Sequence, residues 1–419
     1  MYKRTSTKSV VLYMLLIISI FHGNSNKGVG GGMKYLNESN KLNICVITTP
    51  GYQNIYGATP TILSNFIDVL EPLSNELFII TGKFPNRQNK RIRIVRIKGD
   101  AKRESIVIRI LKFVMTQIRI SYNLVKIYKN IDVVIFFLGT RTFPLPMLLL
   151  KLLKKKTVLI AVGSIICATY VERTSYIRRF ISSHIPRIFA KLNYALSDKI
   201  IVYSENLIDK LGLEKYENKI CIAHEHFLDF DKFKIKKKLD ERDNLVGYIG
   251  RLSEEKGTLN FVRAIPEVLK GKNKIRFLVG GDGPLQDKVR EYLKEKNLRD
   301  KVKLTGWILH DELPDYLNEL KLLVLPSYTE GLPNIMLEAM ACGTPVLATP
   351  VGAIPDVIKD GETGFIMEDN SPECIAQNII RALNHPNLEQ IAQNARVLVE
   401  REFTYEKAVE KYRKILDDL

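Results

Sequence analysis

From residue 42 onward, short apolar runs alternate with longer amphipathic stretches, and the whole alternation occurs twice. The first series of runs covers residues 43–49, 77–81, 92–97, 132–138, 157–162, 199–203 and 219–223. The second restarts at Leu245 with LVGYIG and continues through IRFLVGG, VKLTG, LLVLPS, TPVLATP and GFIM. Short apolar runs with few polar alternations are strands covered on both faces, the pattern of a parallel sheet. Residues 92–97 depart from it, because Arg93 and Arg96 interrupt the apolar residues, and this run is expected at a sheet edge. Strand–helix alternation of this kind specifies a doubly wound α/β domain, and two series specify two of them. Between the series lies a charged stretch, 232–243, with Lys234, Lys236, Lys237 and Lys238 and no apolar face longer than two residues. The expected division is an N-terminal segment 1–40, a first α/β domain 41–231, a linker 232–243, a second α/β domain 244–404, and a final helix 405–419 placed to cross back to the first domain.

The charge follows the same division. Residues 1–240 hold 39 Lys+Arg against 17 Asp+Glu, a net +22, whereas 241–419 hold 24 against 29, a net −5. Domains of opposite sign imply different partners. A basic half suits an anionic membrane surface or a phosphate-bearing acceptor, or serves only solubility. Nucleic acid is disfavoured, since no aromatic-interleaved basic strand or recognised motif is present. Cys45, Cys167, Cys221, Cys342 and Cys374 are scattered without CxxC or CxxH spacing, which points to unpaired thiols in a reducing compartment and to no zinc site. His224 and His226 form the one close histidine pair, beside a strand end, where a loop or packing role outweighs metal binding.

At the N-terminus, Lys3, Arg4 and Lys8 precede an apolar run from Val10 to Phe21. The order is that of a signal peptide, and the run is well short of the ~20 residues a spanning helix needs. A Gly/Asn/Ser/Lys stretch follows, ending in Gly30-Gly31-Gly32 and Met33. Three readings stay open: an anchor touching the membrane, a signal peptide, or upstream sequence before a true start at Met33.

The candidate chemistry sits in the second half. Gly250-Arg251-Leu252, then Lys256-Gly257, follow a strand, and ligands of open α/β sheets bind at carboxyl ends of strands. A guanidinium fork and an ammonium point charge together suit a diphosphate. Gly280-Gly281-Asp282-Gly283 is half of a dinucleotide fingerprint and reads as a structural turn bordering a base. The strongest element is LLVLPS, then Tyr328-Thr329-Glu330-Gly331-Leu332-Pro333-Asn334, then IMLEAMACG. Pro333 or Asn334 begins a helix, and the amides near Gly331 to Asn334, Pro333 excepted, would face an anion. Glu330 stands before that helix, as a partner of its dipole or a ligand of sugar hydroxyls. Glu338 lies one turn inside, between Leu337 and Ala339, where a buried polar role is favoured.

Taken together, these residues resemble glycosyltransferase family 4, retaining enzymes of the GT-B fold. Glu330 and Glu338 match its E-x7-E motif and Arg251 and Lys256 its R-x4-K-G element, and the likeness continues through EAMACGTPVLATPVGAIPDVI and DGETGFI. It is strong over about 244–380 and only architectural over 42–235. It implies two facing Rossmann-like domains and a nucleotide-sugar donor, UDP- or GDP-linked, as co-substrate, with no metal and no other cofactor. It implies that Glu338 holds the donor ribose and Glu330 the transferred sugar, while Arg251, Lys256 and the amides of Gly331 and Leu332 hold the diphosphate, with Gly250, Pro333 and Asn334 lining the same place. Arg251, Lys256 and Glu330 are the residues expected to act in catalysis, by offsetting charge on the leaving diphosphate. The loop 51–57, ending at Gly57, resembles the family loop that approaches donor and acceptor. Many relatives carry a histidine after the fourth or fifth strand; here those strands end in Leu138-Gly139-Thr140 and Gly163-Ser164, so a departing phosphate that helps deprotonate the acceptor is the favoured mechanism. Asp229-Phe230-Asp231, near the linker, is the nearest approach to a metal motif and is disfavoured as one.

Two further stretches bear on the acceptor. Residues 106–128 place Arg109, Lys112, Arg119 and Lys126 among Ile, Leu and Val, and residues 176–191 do the same with Arg178, Arg179, Arg187 and Lys191. Such helices lie in a membrane interface or pack on their own sheet with a charged outer face. The expected function is transfer of a sugar to a lipid-linked or polysaccharide acceptor in cell-surface glycan or glycolipid assembly, in the cytoplasm at the inner face of the membrane. The alternatives are a nucleotide-sugar epimerase or sugar phosphorylase on the same fold, or a non-catalytic GT-B partner, against which the intact Arg251, Lys256, Glu330 and Glu338 argue.

Overall fold

A computed structural model describes residues 41–48, 58–82, 84–85, 87–97, 106–137, 143–162, 187–272 and 274–419. The N-terminal segment, the loop with Gly57, the strand ends at 138–140 and 163–164, and most of the 176–191 stretch lie outside the described residues.

The first sheet contains β1 (Leu42–Thr48), β2 (Ser74–Thr81), β3 (Ile92–Arg96), β4 (Val133–Phe137), β5 (Lys156–Ile160), β6 (Lys199–Val202) and β7 (Ile220–Ile222) in the order β3-β2-β1-β4-β5-β6-β7. The second contains β8 (Leu245–Ile249), β9 (Arg276–Gly280), β10 (Val302–Gly306), β11 (Leu322–Leu325), β12 (Val346–Ala348) and β13 (Phe365–Ile366) in the order β10-β9-β8-β11-β12-β13. Every pairing is parallel. In each sheet the order reverses beside the first strand, at β1/β4 and at β8/β11, and such switch points open a crevice at the carboxyl ends. Central strands are buried throughout, as β4 is from Val133 to Phe137. The arginine-bearing β3 lies at an edge, with Arg93 paired to Glu76 at 2.7 Å.

In the first domain the helices are α1 (Ala58–Leu70), α2 (Ile106–Ile127), α3 (Pro144–Leu152), α4 (187–196) and α5 (Asn206–Leu211). The second domain carries α6 (Thr258–Gly271), α7 (Gln286–Glu295), α8 (Leu313–Glu319), α9 (Asn334–Ala341), α10 (Ile354–Val357), α11 (Pro372–Leu383) and α12 (Leu388–Glu402). The last helix, α13 (Tyr405–Asp417), returns to the first domain. The Tyr405 hydroxyl donates to the Asp68 carbonyl at 3.0 Å, Tyr412 meets Phe66 edge-on at 5.3 Å, and Asp418 pairs with Lys199. Burial of Tyr412 and Phe66, both almost fully enclosed, makes this return a packed contact.

Residues 232–243 are tied down along α8. The Asn318 side chain accepts from the Lys236 amide at 2.7 Å and donates to the Lys234 carbonyl at 3.0 Å, while Lys236 and Lys237 pair with Asp315 and Glu319. Arg242 is buried and donates to the carbonyls of Lys237, Leu317, Leu320 and Cys342 and to the Thr344 hydroxyl. Desolvation there pushes its guanidinium down to about 10. Lys236 and Lys237 of this interdomain segment therefore fasten it to the second domain. Cys45, Cys221, Cys342 and Cys374 are all free thiols, and burial pushes that of Cys342 up to about 12.

Candidate active site

The carboxyl ends of β8 and β11 are neighbours because the two strands pair, Leu322 opposite Val246 and Leu323 opposite Gly247. The β8 end continues into Gly250, Arg251 and Lys256, and the β11 end into Ser327 and Glu330. Residues 74 positions apart thus meet: Lys256 Nζ lies 2.6 and 2.8 Å from the two Glu330 carboxylate oxygens. The Ser327 hydroxyl donates to Glu330 Oε1 at 2.7 Å. The Glu330 side chain is 8% exposed and that of Lys256 30%, so this pair is partly shielded from water and its two charges depend on each other. Arg251 pairs with Glu255 at 3.4 Å, and Ser253 holds the same carboxylate at 2.7 Å. Each cation of the expected diphosphate cradle is thus accompanied by a carboxylate, and an incoming phosphate would share or displace these partners.

Two glycines make the approach geometrically feasible. Gly257 has φ +67°, and a Cβ there would lie 2.0 Å from the Pro326 carbonyl oxygen. Gly352 has φ +61°, and its Cβ would lie 2.3 Å from the Glu330 carbonyl oxygen. Only glycine tolerates both the left-handed backbone and the contact. The Ala353 amide donates to the Gly331 carbonyl at 2.8 Å, which fixes the loop from behind.

The helix that follows begins at Asn334, with Pro333 as its N-cap at φ −75°, ψ 119° and, among the described residues, no side chain capping the first turn. Amides of a first turn without a side-chain acceptor are an anion site by charge and direction. Gly331 abuts the first domain: a Cβ there would lie 2.7 Å from Val162 and 3.7 Å from the Tyr203 ring. Leu332 is buried, whereas Gly250 is half-buried and its amide donates to the Gly280 carbonyl at 3.0 Å. The Gly280–Gly283 turn is zipped to the Arg251 loop by Leu252 N–H to the Asp282 carbonyl at 2.9 Å. Asp229 accepts from the amides of Asp231 and Lys232 at 3.0 and 3.1 Å, a local turn at the start of the crossing.

The structure thus brings Arg251, Lys256, Glu330, Gly331, Leu332, Pro333 and Asn334 around one switch point, with Glu338 one turn into α9. Glu338 is buried, and its Oε1 lies 2.9 Å from His310 Nε2. Sequence reasoning missed His310, Ser327, Lys232 and Gly352. His310 follows β10 at its carboxyl end, and that position in an open α/β sheet is the signal that could have found it.

It also missed a buried polar cluster beside the same loop. The Tyr203 hydroxyl donates to Glu225 Oε1, and the Tyr203 ring meets His226 edge-on at 5.1 Å. Glu225 Oε2 and the Tyr412 hydroxyl are buried without a hydrogen-bond partner among the described residues. Burial pushes the Glu225 carboxyl up to about 7 and the His226 imidazole down to about 4, and holds His224 well below the usual range. The histidine pair is therefore neutral and packed, His224 against Phe403 at 4.8 Å.

Residues 229–398 match the family of glycosyl transferases, group 1. That span includes Arg251, Lys256, Glu330, His310 and Glu338. The chain is 31% identical over 192 residues to the alpha-D-kanosaminyltransferase of Streptomyces kanamyceticus, covering 44% of this chain and 50% of that one. It is 30% identical over 234 residues to the capsular polysaccharide biosynthesis glycosyltransferase CapM of Staphylococcus aureus, covering 52% and 60% respectively. The matches thus span between half and about three-fifths of these relatives' lengths. The Anabaena HepE structure in complex with UDP superposes with a TM-score of 0.71 over 90% of this chain and 100% of that one, at 15% identity. That superposition establishes the GT-B arrangement of two parallel-sheet Rossmann-like domains, and the sequence matches support a glycosyltransferase.

Proposed function

We propose that the protein is a retaining glycosyltransferase of family 4, moving a sugar from a nucleoside-diphosphate donor to a lipid-linked or polysaccharide acceptor in cell-surface glycan assembly. The observation that carries this reading is the Lys256–Glu330 pair at the β8/β11 switch point, beside a helix start with no side-chain cap. A cation, a shielded carboxylate and aligned amides at one crevice are complementary to a sugar diphosphate, whose phosphates need positive charge and whose sugar hydroxyls need an acceptor.

In this mechanism the bond between the sugar C1 and the phosphate oxygen breaks with its electron pair going to the diphosphate. The acceptor hydroxyl oxygen bonds to C1 on the same face, and its proton passes to the leaving phosphate. Lys256, Arg251 and the amides about Gly331 and Leu332 stabilise the charge that develops, Glu330 holds the sugar, Glu338 holds the ribose, and no metal or other cofactor is required. The donor would be a UDP- or GDP-sugar; the UDP that accompanies HepE supports a nucleotide-linked donor, and the capsular polysaccharide role in CapM's name supports a polysaccharide acceptor.

The reading places the protein in the cytoplasm, peripheral at the inner membrane face. Support comes from α2, where Ile110, Leu111 and Met115 are among the exposed large apolar residues, and from Leu148 and Leu152 of the adjoining α3 and Ile188 and Leu192 of α4. Apolar side chains among the cations of the basic domain suit an interfacial surface. Among the described residues no helix is long and apolar enough to cross a membrane. The decisive assay is turnover of labelled UDP- and GDP-sugars with lipid-extract acceptors. Lys256→Ala, and Glu330→Gln as the milder variant, should each lower turnover at least about a hundredfold, the scale of one lost charge-stabilising group. Near-full turnover in both variants, with unchanged melting temperature, would sink these assignments.

A further inference from the structure

One polar chain connects the interdomain segment to α9. Asp311 Oδ1 lies 2.6 Å from Lys232 Nζ, Lys232 Nζ lies 2.9 Å from His310 Nδ1, and His310 Nε2 lies 2.9 Å from Glu338 Oε1. An ammonium group only donates, so His310 Nδ1 accepts from Lys232; a neutral imidazole that accepts at Nδ1 carries its proton on Nε2 and donates it to Glu338. The ring is further set by an edge contact with Phe233 at 5.4 Å, and the Phe233 carbonyl accepts from Arg396 at 2.8 Å. The Glu338 side chain is 9% exposed, so little water competes for its oxygens.

We propose that His310 is a positioning residue for the donor: it occupies Glu338 Oε1, fixes the plane of that carboxylate for a vicinal diol, and is itself held in the Nε2–H tautomer by Lys232. The inference rests on Glu338 as the ribose ligand. It adds that recognition of the ribose is set by a residue on the loop after β10 and by a lysine of the segment joining the domains. A carboxylate held from one side accepts hydrogen bonds from the diol without losing further rotational freedom on binding, as with the outer partners that orient metal ligands. Because Lys232 belongs to the crossing segment, any shift of that segment reaches the ribose site directly.

The test is calorimetric binding of UDP and 2′-deoxy-UDP, and of GDP and 2′-deoxy-GDP, to the full chain and to His310→Ala, His310→Gln, Lys232→Met and Glu338→Gln, each checked for an unchanged melting temperature. The expected result is a preference for the ribonucleotide in the wild type. His310→Ala should lose about tenfold in ribonucleotide affinity and little in deoxynucleotide affinity, so that the preference collapses. His310→Gln should recover part of it, since its amide N–H can donate to Glu338, and Lys232→Met should fall between. If Glu338→Gln abolishes the preference while His310→Ala keeps it, His310 has no positioning role and the ribose reading stands. If Glu338→Gln also keeps it, or the wild type shows no preference, the ribose reading itself falls. Binding of neither nucleotide overturns the donor assignment.

Discussion

Glu225→Gln should stabilise the protein more in mild alkali than in mild acid. Glu225 is 1% exposed, bonded to Tyr203 through Oε1 and, among the described residues, without a partner on Oε2. Desolvation raises its carboxyl from 4.5 to about 7, against the opposing pull of the Tyr203 bond. A carboxyl raised in the folded state binds more protons folded than unfolded, so its contribution is fully present below the unfolded value and is lost as pH rises through the folded one. From these two values, at 1.36 kcal/mol per unit, its penalty is about 1 kcal/mol at pH 5 and about 3 kcal/mol at pH 8. Glutamine keeps the carbonyl that accepts from Tyr203 and never ionises. The variant should therefore gain about 2 kcal/mol on the wild type between these pH values, read as the difference in urea-unfolding free energy at each pH. His226, lowered to about 4 by burial, runs the other way, its contribution present above 6.5 and lost as pH falls. It is common to both proteins and cancels in the comparison. Parallel stability curves for the two proteins from pH 5 to pH 8 would refute the burial argument.

Two other outcomes follow from geometry and charge. Gly352→Ala should cost about 1–3 kcal/mol of stability and reduce turnover of the proposed nucleotide-sugar donor, because its Cβ meets the Glu330 carbonyl oxygen at 2.3 Å on a left-handed backbone; unchanged melting and turnover would show that the loop behind Glu330 is soft. The protein without residues 1–32 should sediment with anionic vesicles at low salt and release as salt rises, since contacts between exposed charges are screened beyond about 8–10 Å at physiological ionic strength. Protein that stays in the supernatant at every salt concentration would remove the membrane from the proposed function.

Much of the site was legible because its residues are local to readable elements. Gly257 follows Lys256 directly, Pro333 marks a helix start, and Glu338 stands out as a carboxylate inside an apolar helix. His310 was not legible, since its partner lies 28 residues away on another element and its tautomer depends on a lysine 78 residues before it. Glu225 was hidden between two histidines, where nothing in the sequence marks a carboxylate as desolvated. That the interdomain segment 232–243 is fastened to the second domain was not legible either, because the acidic partners of Lys236 and Lys237 on α8 are some 80 residues further on.

The sequence by itself determined two parallel sheets, because strands buried on both faces must be apolar almost throughout, and that pattern survives without knowledge of neighbours. It determined the edge position of β3 for the same reason, since arginines cannot fill a central strand. Only the tertiary structure decided that Lys256 sits on Glu330, that His310 faces Glu338 and that Glu225 is denied water. Those are consequences of strand order and domain docking, which bring together groups that no local periodicity links, and the energy of a charge depends on what surrounds it.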